Sequence, residues 1–182
     1  MSLFGRGVVA IWHGLAEPGR RNFYEWHNTE HMPERAGIAG FVRGRRYHDM
    51  KQPGELFTLY ETLDTDVLTS SAYLARLNAP TPWTVESIRA FTNLSRALSE
   101  VAFTRATGDG AVLRVSRFDI AGDDAASARD RLIERLQRVE LINGVAEALW
   151  RWGVAVGFDR QRIGTNDRRS TEGARKVFQT EH

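Results

Sequence analysis

The order of strand and helix patterns in residues 7–106 restricts the fold of this chain more than any other feature of the sequence. Short apolar runs rich in β-branched residues predict strands, and apolar residues spaced three and four apart predict helices. The segments come in the order strand 7–14, helix 23–32, strand 40–49, strand 56–64, helix 65–78, a further short helix 85–98, and strand 99–106. With the short helix set aside, this β-α-β-β-α-β order is that of the ferredoxin-like motif, so we predict an α+β fold.

The same pattern restarts after the first hundred residues. The stretch "GAVLRVSRFDI" from Gly110 is similar to "GVVAIWHG" from Gly7, and "LINGVAEALWRW" is similar to "GIAGFVRGRRY". Gly7 and Gly110 are 103 residues apart, and Gly40 and Gly144 are 104 residues apart. Two pairs of similar segments separated by nearly the same number of residues indicate an internal duplication. The alternative is that turns with a glycine and an aromatic residue recur by chance.

The second repeat is predicted to be incomplete. A strong amphipathic helix at 125–140 has one apolar stripe, formed by Ala128, Leu132, Leu136 and Val139. Carried forward, the offset places a third strand near 158–166 and a second helix near 170–181, and the fourth strand falls beyond His182. We therefore predict a first repeat at 1–107, a partial second repeat at 108–157, and an Arg-rich, weakly structured remainder at 158–182.

Composition excludes several classes of function. There is no cysteine, which rules out disulfides and thiolate metal sites, and the formal net charge is only +2. Within that remainder, the Arg-rich residues 159–176 carry no interleaved aromatic residues for base stacking, so we expect no nucleic-acid partner. The N-terminus has no secretory pattern and no window is apolar enough to span a bilayer, so we expect a cytoplasmic protein without a membrane partner.

Residues 23–47, "FYEWHNTEHMPERAGIAGFVRGRRY", carry a resemblance to a known family. With "LYETLDTDVLTSSAYLA" and "PTPW", they resemble the EthD-like branch of the dimeric α/β-barrel superfamily. The resemblance implies ferredoxin-like sheets with helices on one face, two of which pack as a barrel between two chains or two repeats. Together with the offset between the two halves, it leads us to expect tandem repeats here, the second incomplete. Since relatives include cofactorless monooxygenases, lactone isomerases and haem enzymes, no reaction transfers with the fold.

An incomplete second repeat also affects association. It would leave a strand edge without its neighbour, and exposed edges recruit partners or must be covered. We therefore predict a homodimer or larger homo-oligomer. The alternative is that the C-terminal tail folds back over the edge.

The stretch "WHNTEH", residues 26–31, allows three interpretations. His27 and His31 at i, i+4 could chelate a metal ion, but no third ligand is indicated and Pro33 is expected to end or kink the helix, so no metal site is predicted. The second interpretation is an acid–base site without cofactor, with His31 oriented by Glu30. The third is structural, a polar helix end.

The enzymatic hypothesis assigns proton transfer to His31, assisted by His27 or Tyr24. A small apolar or aromatic molecule would bind against His13 and an aromatic wall, while Arg45 or Arg46 steadies an anionic group. The expected wall consists of Trp12, Phe23, Trp26, Phe41, Tyr47 and Phe57. The competing hypothesis is a non-catalytic ligand-binding or assembly protein in which His31 is structural, so the sequence leaves open whether the chain is an enzyme.

Overall fold

A computed structural model of the chain describes residues 3–106, 112–116, 125–138, 146–152 and 175–180. The strands are β1 Gly7–Leu15, β2 Phe41–Asp49, β3 Glu55–Thr62, β4 Phe91–Ala106, β5 Val112–Ser116, β6 Ala146–Trp152 and β7 Arg175–Thr180. The helices are α1 Arg20–Trp26, α2 Met32–Ala36, α3 Ser71–Asn78, α4 Pro82–Ser87 and α5 Ala125–Arg138. A π-helical turn, His27–His31, joins α1 to α2, and 3₁₀ turns lie at Glu17–Gly19, Asp66–Thr69 and Ile88–Ala90.

The first four strands form the antiparallel sheet of a ferredoxin-like motif. Their order in the sheet is β2-β3-β1-β4, with the apolar β1 at the centre. β1 pairs with β3 from Gly7↔Thr62 to Gly14↔Glu55, and with β4 on its other side. The predicted β-α-β-β-α-β order is therefore confirmed.

Strands from the second half of the chain extend this sheet at both ends. β6 pairs with β4, and β7 pairs with the end of β2 and with β5. The full order is β5-β7-β2-β3-β1-β4-β6. The helix expected at 170–181 is wrong, because β7 occupies Arg175–Thr180. The third strand expected near 158–166 lies outside the described residues.

Side chains on the two faces of the sheet build different cores, because successive residues of a strand point to opposite faces. From β1, Val8, Ala10 and Trp12 enter one core, which continues onto Val115 of β5. The alternate residues of β1 face the helices, where two further clusters form. Their buried members are Val9, Ile38, Tyr60, Leu68, Tyr73, Leu15, Phe23, Trp26 and Leu56.

Two local predictions in the first repeat are wrong. The helix expected at 85–98 is limited to α4 and a 3₁₀ turn, and the strand starts at Phe91. Pairing with β1 from Leu15↔Phe91 onward overrides the local helical pattern. The second helix begins late, because Ser70 caps it by accepting a hydrogen bond from the backbone N–H of Tyr73.

Candidate functional site

The helical segment before β2 carries the His-rich stretch. Pro33 does not end this helix, which continues to Ala36. The expected irregularity is a π turn at His27–His31, which ends two residues before Pro33, and the missing N–H of this proline interrupts the α-helical ladder. This arrangement directs His27, His31 and Arg35, spaced four apart, toward the helix-covered face of the sheet.

His27 is buried and held in one tautomer. Nη1 of Arg46 donates a hydrogen bond to its Nδ1 at 2.8 Å and a second to Oδ1 of Asn28 at 2.9 Å. Because a guanidinium can only donate, Nδ1 must be the acceptor and the ring proton resides on Nε2. Burial, followed by the charges of His31 and Arg46, lowers the pKa of His27 well below its usual value.

His13 is buried from β1 on the same face. Its Nδ1 lies 3.1 Å from the carbonyl oxygen of Gly14, which can only accept, so Nδ1 carries the proton in the neutral ring. The ring stacks on Phe91 with centroids 4.0 Å apart and meets the edge of Phe23 at 5.3 Å. Burial lowers the pKa of His13 to about 4.

His31 lies between Trp26 and the sheet. Its ring centroid is 4.5 Å from that of Trp26, 5.5 Å from His27 and 6.3 Å from Tyr60. The ring is partly exposed, yet its Nδ1 is buried and has no hydrogen-bond partner among the described residues. Burial, and then the positive charge of Arg35, lower the pKa of His31 to about 3. The ring is therefore neutral at physiological pH.

Glu30 does not orient His31 as expected. Its Oε1 accepts hydrogen bonds from Nε1 of Trp26 at 3.2 Å and from the hydroxyls of Thr81 at 2.5 Å and Thr84 at 3.3 Å. The carboxylate thus ties the π turn to the start of α4. Of the three interpretations of "WHNTEH", the structural one holds for Glu30.

Two residues that the sequence did not single out complete the site. Arg35 is 8% exposed and Tyr60 is 3% exposed, and Nη1 of Arg35 and the hydroxyl of Tyr60 both lack a hydrogen-bond partner within the described ranges. Burial raises the pKa of the Tyr60 hydroxyl. The spacing of Arg35 four residues after His31 was the one sequence pattern that could have identified it.

A cavity of about 260 Å³ lies beside Tyr60, between the helical segment and β2. Its lining residues are Asn28, Met32, Pro33, Ala36, Phe41, Arg43, Gly44 and Tyr60. A Cβ at Gly44 would stand 2.8 Å from Cδ1 of Tyr60 and 2.9 Å from Cε of Met32, so glycine keeps room for both. The lining is mainly apolar and is large enough for a small aromatic molecule.

The structure divides the predicted site residues between the two faces of the sheet. The helix-covered face holds His13, Trp26, His27, His31, Phe41 and Arg46, with Tyr24 against the Arg46 guanidinium at 4.8 Å. The other face holds Trp12 and Tyr47, and Arg45 hydrogen-bonds the Tyr47 hydroxyl there. The expected continuous aromatic wall is therefore split, and Trp12, Tyr47 and Arg45 do not share a space with His31.

The described residues contain no group of three or more His, Asp or Glu side chains placed to hold a metal ion. None of the helices in the described part of the chain has the length and apolar character of a bilayer span.

Solved structures supply the only matches among three comparisons, since no family model and no curated protein matches the chain. An anthrone oxidase-like protein is 10% identical, with a TM-score of 0.54, over 100% of this chain and 94% of its own. A candidate monooxygenase from Lactobacillus acidophilus NCFM is 12% identical, with a TM-score of 0.48, over 72% of this chain and only 62% of its own. SnoaB, a cofactor-independent oxygenase from Streptomyces nogalater, is 13% identical, with a TM-score of 0.37, over 51% and 89%.

At identities this low, structural likeness establishes a fold and no activity. The first of these matches spans the whole chain, and the sheet order observed here contains a complete ferredoxin-like motif continued by further strands. The chain therefore has an α+β fold of the dimeric α/β-barrel type, with a complete ferredoxin-like unit in residues 7–106 that further strands continue.

Proposed function

We propose that the chain is a cofactor-independent enzyme that removes a proton from a small apolar or aromatic molecule, with His31 as the acceptor. One observation carries the proposal: Tyr60 lines an apolar cavity, and its hydroxyl, Nδ1 of the neighbouring His31 and Nη1 of Arg35 are buried without hydrogen-bond partners among the described residues. Buried polar groups are nearly always satisfied, so an unsatisfied group in a native site calls for a functional explanation. A bound molecule would supply the missing partners.

Because His31 is neutral, its ring can accept a proton. The low pKa of about 3 means that the neutral ring is a weak base. A ligand that becomes negatively charged beside the ring would favour the imidazolium and raise this pKa. Trp26 at 4.5 Å fixes the ring plane, and His27, locked by Arg46, holds the adjacent helix position. In this scheme His27 keeps the His31 side of the helix in place and does not exchange protons.

The test is exchange of the methylene protons of anthrone with deuterium in D₂O, followed by NMR under nitrogen. Anthrone is an acidic aromatic ketone, and one of the proteins with this fold is named for an anthrone oxidase. His31→Phe keeps a ring against Trp26 but removes the base, so we expect the catalysed exchange rate to fall by about 10²-fold or more. Ala36→Ser, on the cavity rim, is the matched control and should retain the rate. A His31→Phe protein that exchanges at the wild-type rate would remove His31 from the mechanism.

The pH dependence gives an independent check on the same assay. Because His31 is neutral at any pH well above about 3, the catalysed rate constant should not change between about pH 5 and pH 8 through titration of this residue. A rate that rises along a single titration curve near pH 6.5 would identify a histidine with an ordinary pKa as the base, and would contradict the assignment.

A second candidate is a non-catalytic protein that binds the same class of molecule. The low basicity of His31 in the unliganded site favours it. Saturable binding of anthrone with no enzyme-dependent exchange would decide for this candidate.

We further propose that the second half of the chain arose by internal duplication and that the protein self-associates. β5 and β6 stand at the two ends of the described sheet and each pairs with a strand on one side only there. An unpaired edge favours association with another strand. We expect light scattering to give at least twice the 20.6 kDa chain mass, and a monomer at micromolar concentration would contradict self-association.

A further inference from the structure

Asn28 belongs to the row of helix residues that borders the cavity. Asn28, Met32 and Ala36 line the cavity and are spaced four apart, so they form one row along the helical segment. The row starts in the π turn His27–His31, and π turns are frequent at functional sites. Asn28 is exposed, so a ligand that enters the cavity can reach its amide.

Arg46 fixes the orientation of the Asn28 amide. Nη1 of Arg46 donates to Oδ1 of Asn28 at 2.9 Å and to Nδ1 of His27 at 2.8 Å. Because a guanidinium can only donate, the amide oxygen faces Arg46, and the Nδ2 group with its two N–H donors faces away from it. Asn28 has no other side-chain hydrogen bond within the described residues. With its oxygen engaged, the amide offers donors to a ligand.

The other polar side chains of the cavity lining are less able to bind a ligand. Arg43 directs Nε and Nη2 to Oε1 of Glu61, both at 2.6 Å. The hydroxyl of Tyr60 is buried, whereas Asn28 is exposed. The amide of Asn28 is therefore the polar group that an entering ligand meets first. The rest of the lining is apolar or has no side chain, and consists of Met32, Pro33, Ala36, Phe41 and Gly44.

We infer that Asn28 determines specificity: its Nδ2 group selects ligands that carry a hydrogen-bond acceptor, such as an aryl ketone, and holds the acceptor oxygen at the cavity border. The aromatic rings then lie against Phe41 and Gly44. The inference rests on the proposed function for the place where the ligand binds, and it adds the chemical class of that ligand. Arg46 acts on the ligand through Asn28 and is a positioning residue.

The experiment compares 2-acetylnaphthalene with 2-isopropenylnaphthalene, which has the same shape but carries a CH₂ group in place of the carbonyl oxygen. A cavity of about 150 Å³ holds benzene, so one of about 260 Å³ has room for two fused rings. Equilibrium dialysis against the full-length protein measures the affinity for each compound. One hydrogen bond from the amide should make the ketone bind about 3- to 10-fold more tightly than the olefin.

Two variants of Asn28 separate ligand binding from a structural role. Asn28→Asp keeps the size of the side chain and the hydrogen bond accepted from Arg46, but it has no N–H to donate. The ketone should lose its advantage in Asn28→Asp and in Asn28→Ala, while the affinity for the olefin stays the same. Asn78→Asp makes the same exchange at an exposed position at the end of α3 and should retain the preference for the ketone.

The inference is overturned if the wild-type protein binds ketone and olefin equally or binds neither. A preference for the ketone that persists in Asn28→Asp would also overturn it, because the bond to Arg46 would then be the part that matters. The exchange assay keeps this result apart from the proposed catalysis. A preference that depends on Asn28, without anthrone exchange, would overturn the catalysis and support the inference. Anthrone exchange by a protein that binds both compounds equally would do the reverse.

Discussion

Mild acid is expected to destabilise this protein by about 4 kcal/mol between pH 7.5 and pH 5.5, because the folded chain holds three histidines in the neutral form. Burial lowers the pKa of His13 to about 4 and that of His31 to about 3, and lowers that of His27 well below its usual value. An unfolded histidine has a pKa near 6.5. As the pH falls through 6.5, the unfolded chain takes up protons and the folded chain does not.

The sign follows from this difference in proton uptake. The stabilisation from a depressed histidine pKa is fully present above pH 6.5 and is lost as the pH falls toward the folded-state pKa. Each of the three residues contributes about 1.4 kcal/mol over this interval. The total is a large part of the roughly 5–15 kcal/mol by which a domain is stable.

Urea unfolding at the two pH values measures the effect. His13→Phe places a similar ring against Phe91 and removes one titrating group, so the fall in unfolding free energy should be about one third smaller. Phe91→Leu is the matched control, because it weakens the same stack without changing the number of titrating groups, and should lower stability equally at both pH values. If His13→Phe loses as much stability on acidification as the wild type, then His13 is not buried in the neutral form.

Loss of the buried ion pair between Arg43 and Glu61 is expected to have the second large effect. Glu61 is 1% exposed, and its Oε1 accepts hydrogen bonds from Nε and Nη2 of Arg43, both at 2.6 Å. Its Oε2 accepts from the backbone N–H of Phe4 at 2.8 Å, and the guanidinium covers the Phe4 ring at 4.6 Å. The pair thus fastens the N-terminal segment to β2 and β3.

Arg43→Met should lower the free energy of unfolding by about 3–5 kcal/mol, because it leaves the Glu61 carboxylate buried without its cation. The double variant Arg43→Met with Glu61→Leu should be more stable than Arg43→Met alone, since no buried charge remains. Arg89→Met, at an exposed position, serves as the control for loss of one positive charge and should change stability by less than about 0.5 kcal/mol. Additive losses in the double variant would show that the pair contributes no mutual stabilisation.

The first three strands and the helix before β2 were predictable because their patterns are local. β1 is a continuous apolar run, and the aromatic and histidine spacing from Phe23 to Glu30 defines one helix face. The i, i+4 spacing likewise predicted that His27 and His31 point in the same direction. These properties depend on residues close in sequence, so they can be predicted without knowledge of the rest of the chain.

The contacts that these residues make with the rest of the chain depend on pairing between distant strands. The periodicity of the sequence does not predict that pairing. Phe91 lies in a helical pattern, yet the registered pairing of β1 with β3 and with β4 fixes the centre of the sheet and draws Phe91 into β4. Arg175–Thr180 is a strand for the same reason, since β5 and β2 pair with it.

The site shows the same division. The sequence by itself determined that His31 and aromatic residues of the helix share a face, because helical spacing is local. It did not determine that Trp12 and Tyr47 lie on the other face, that Arg46 locks His27, or that Tyr60 meets His31. Those contacts follow from strand register, in which a one-residue change sends a side chain to the opposite face, and only the folded sheet decides that register.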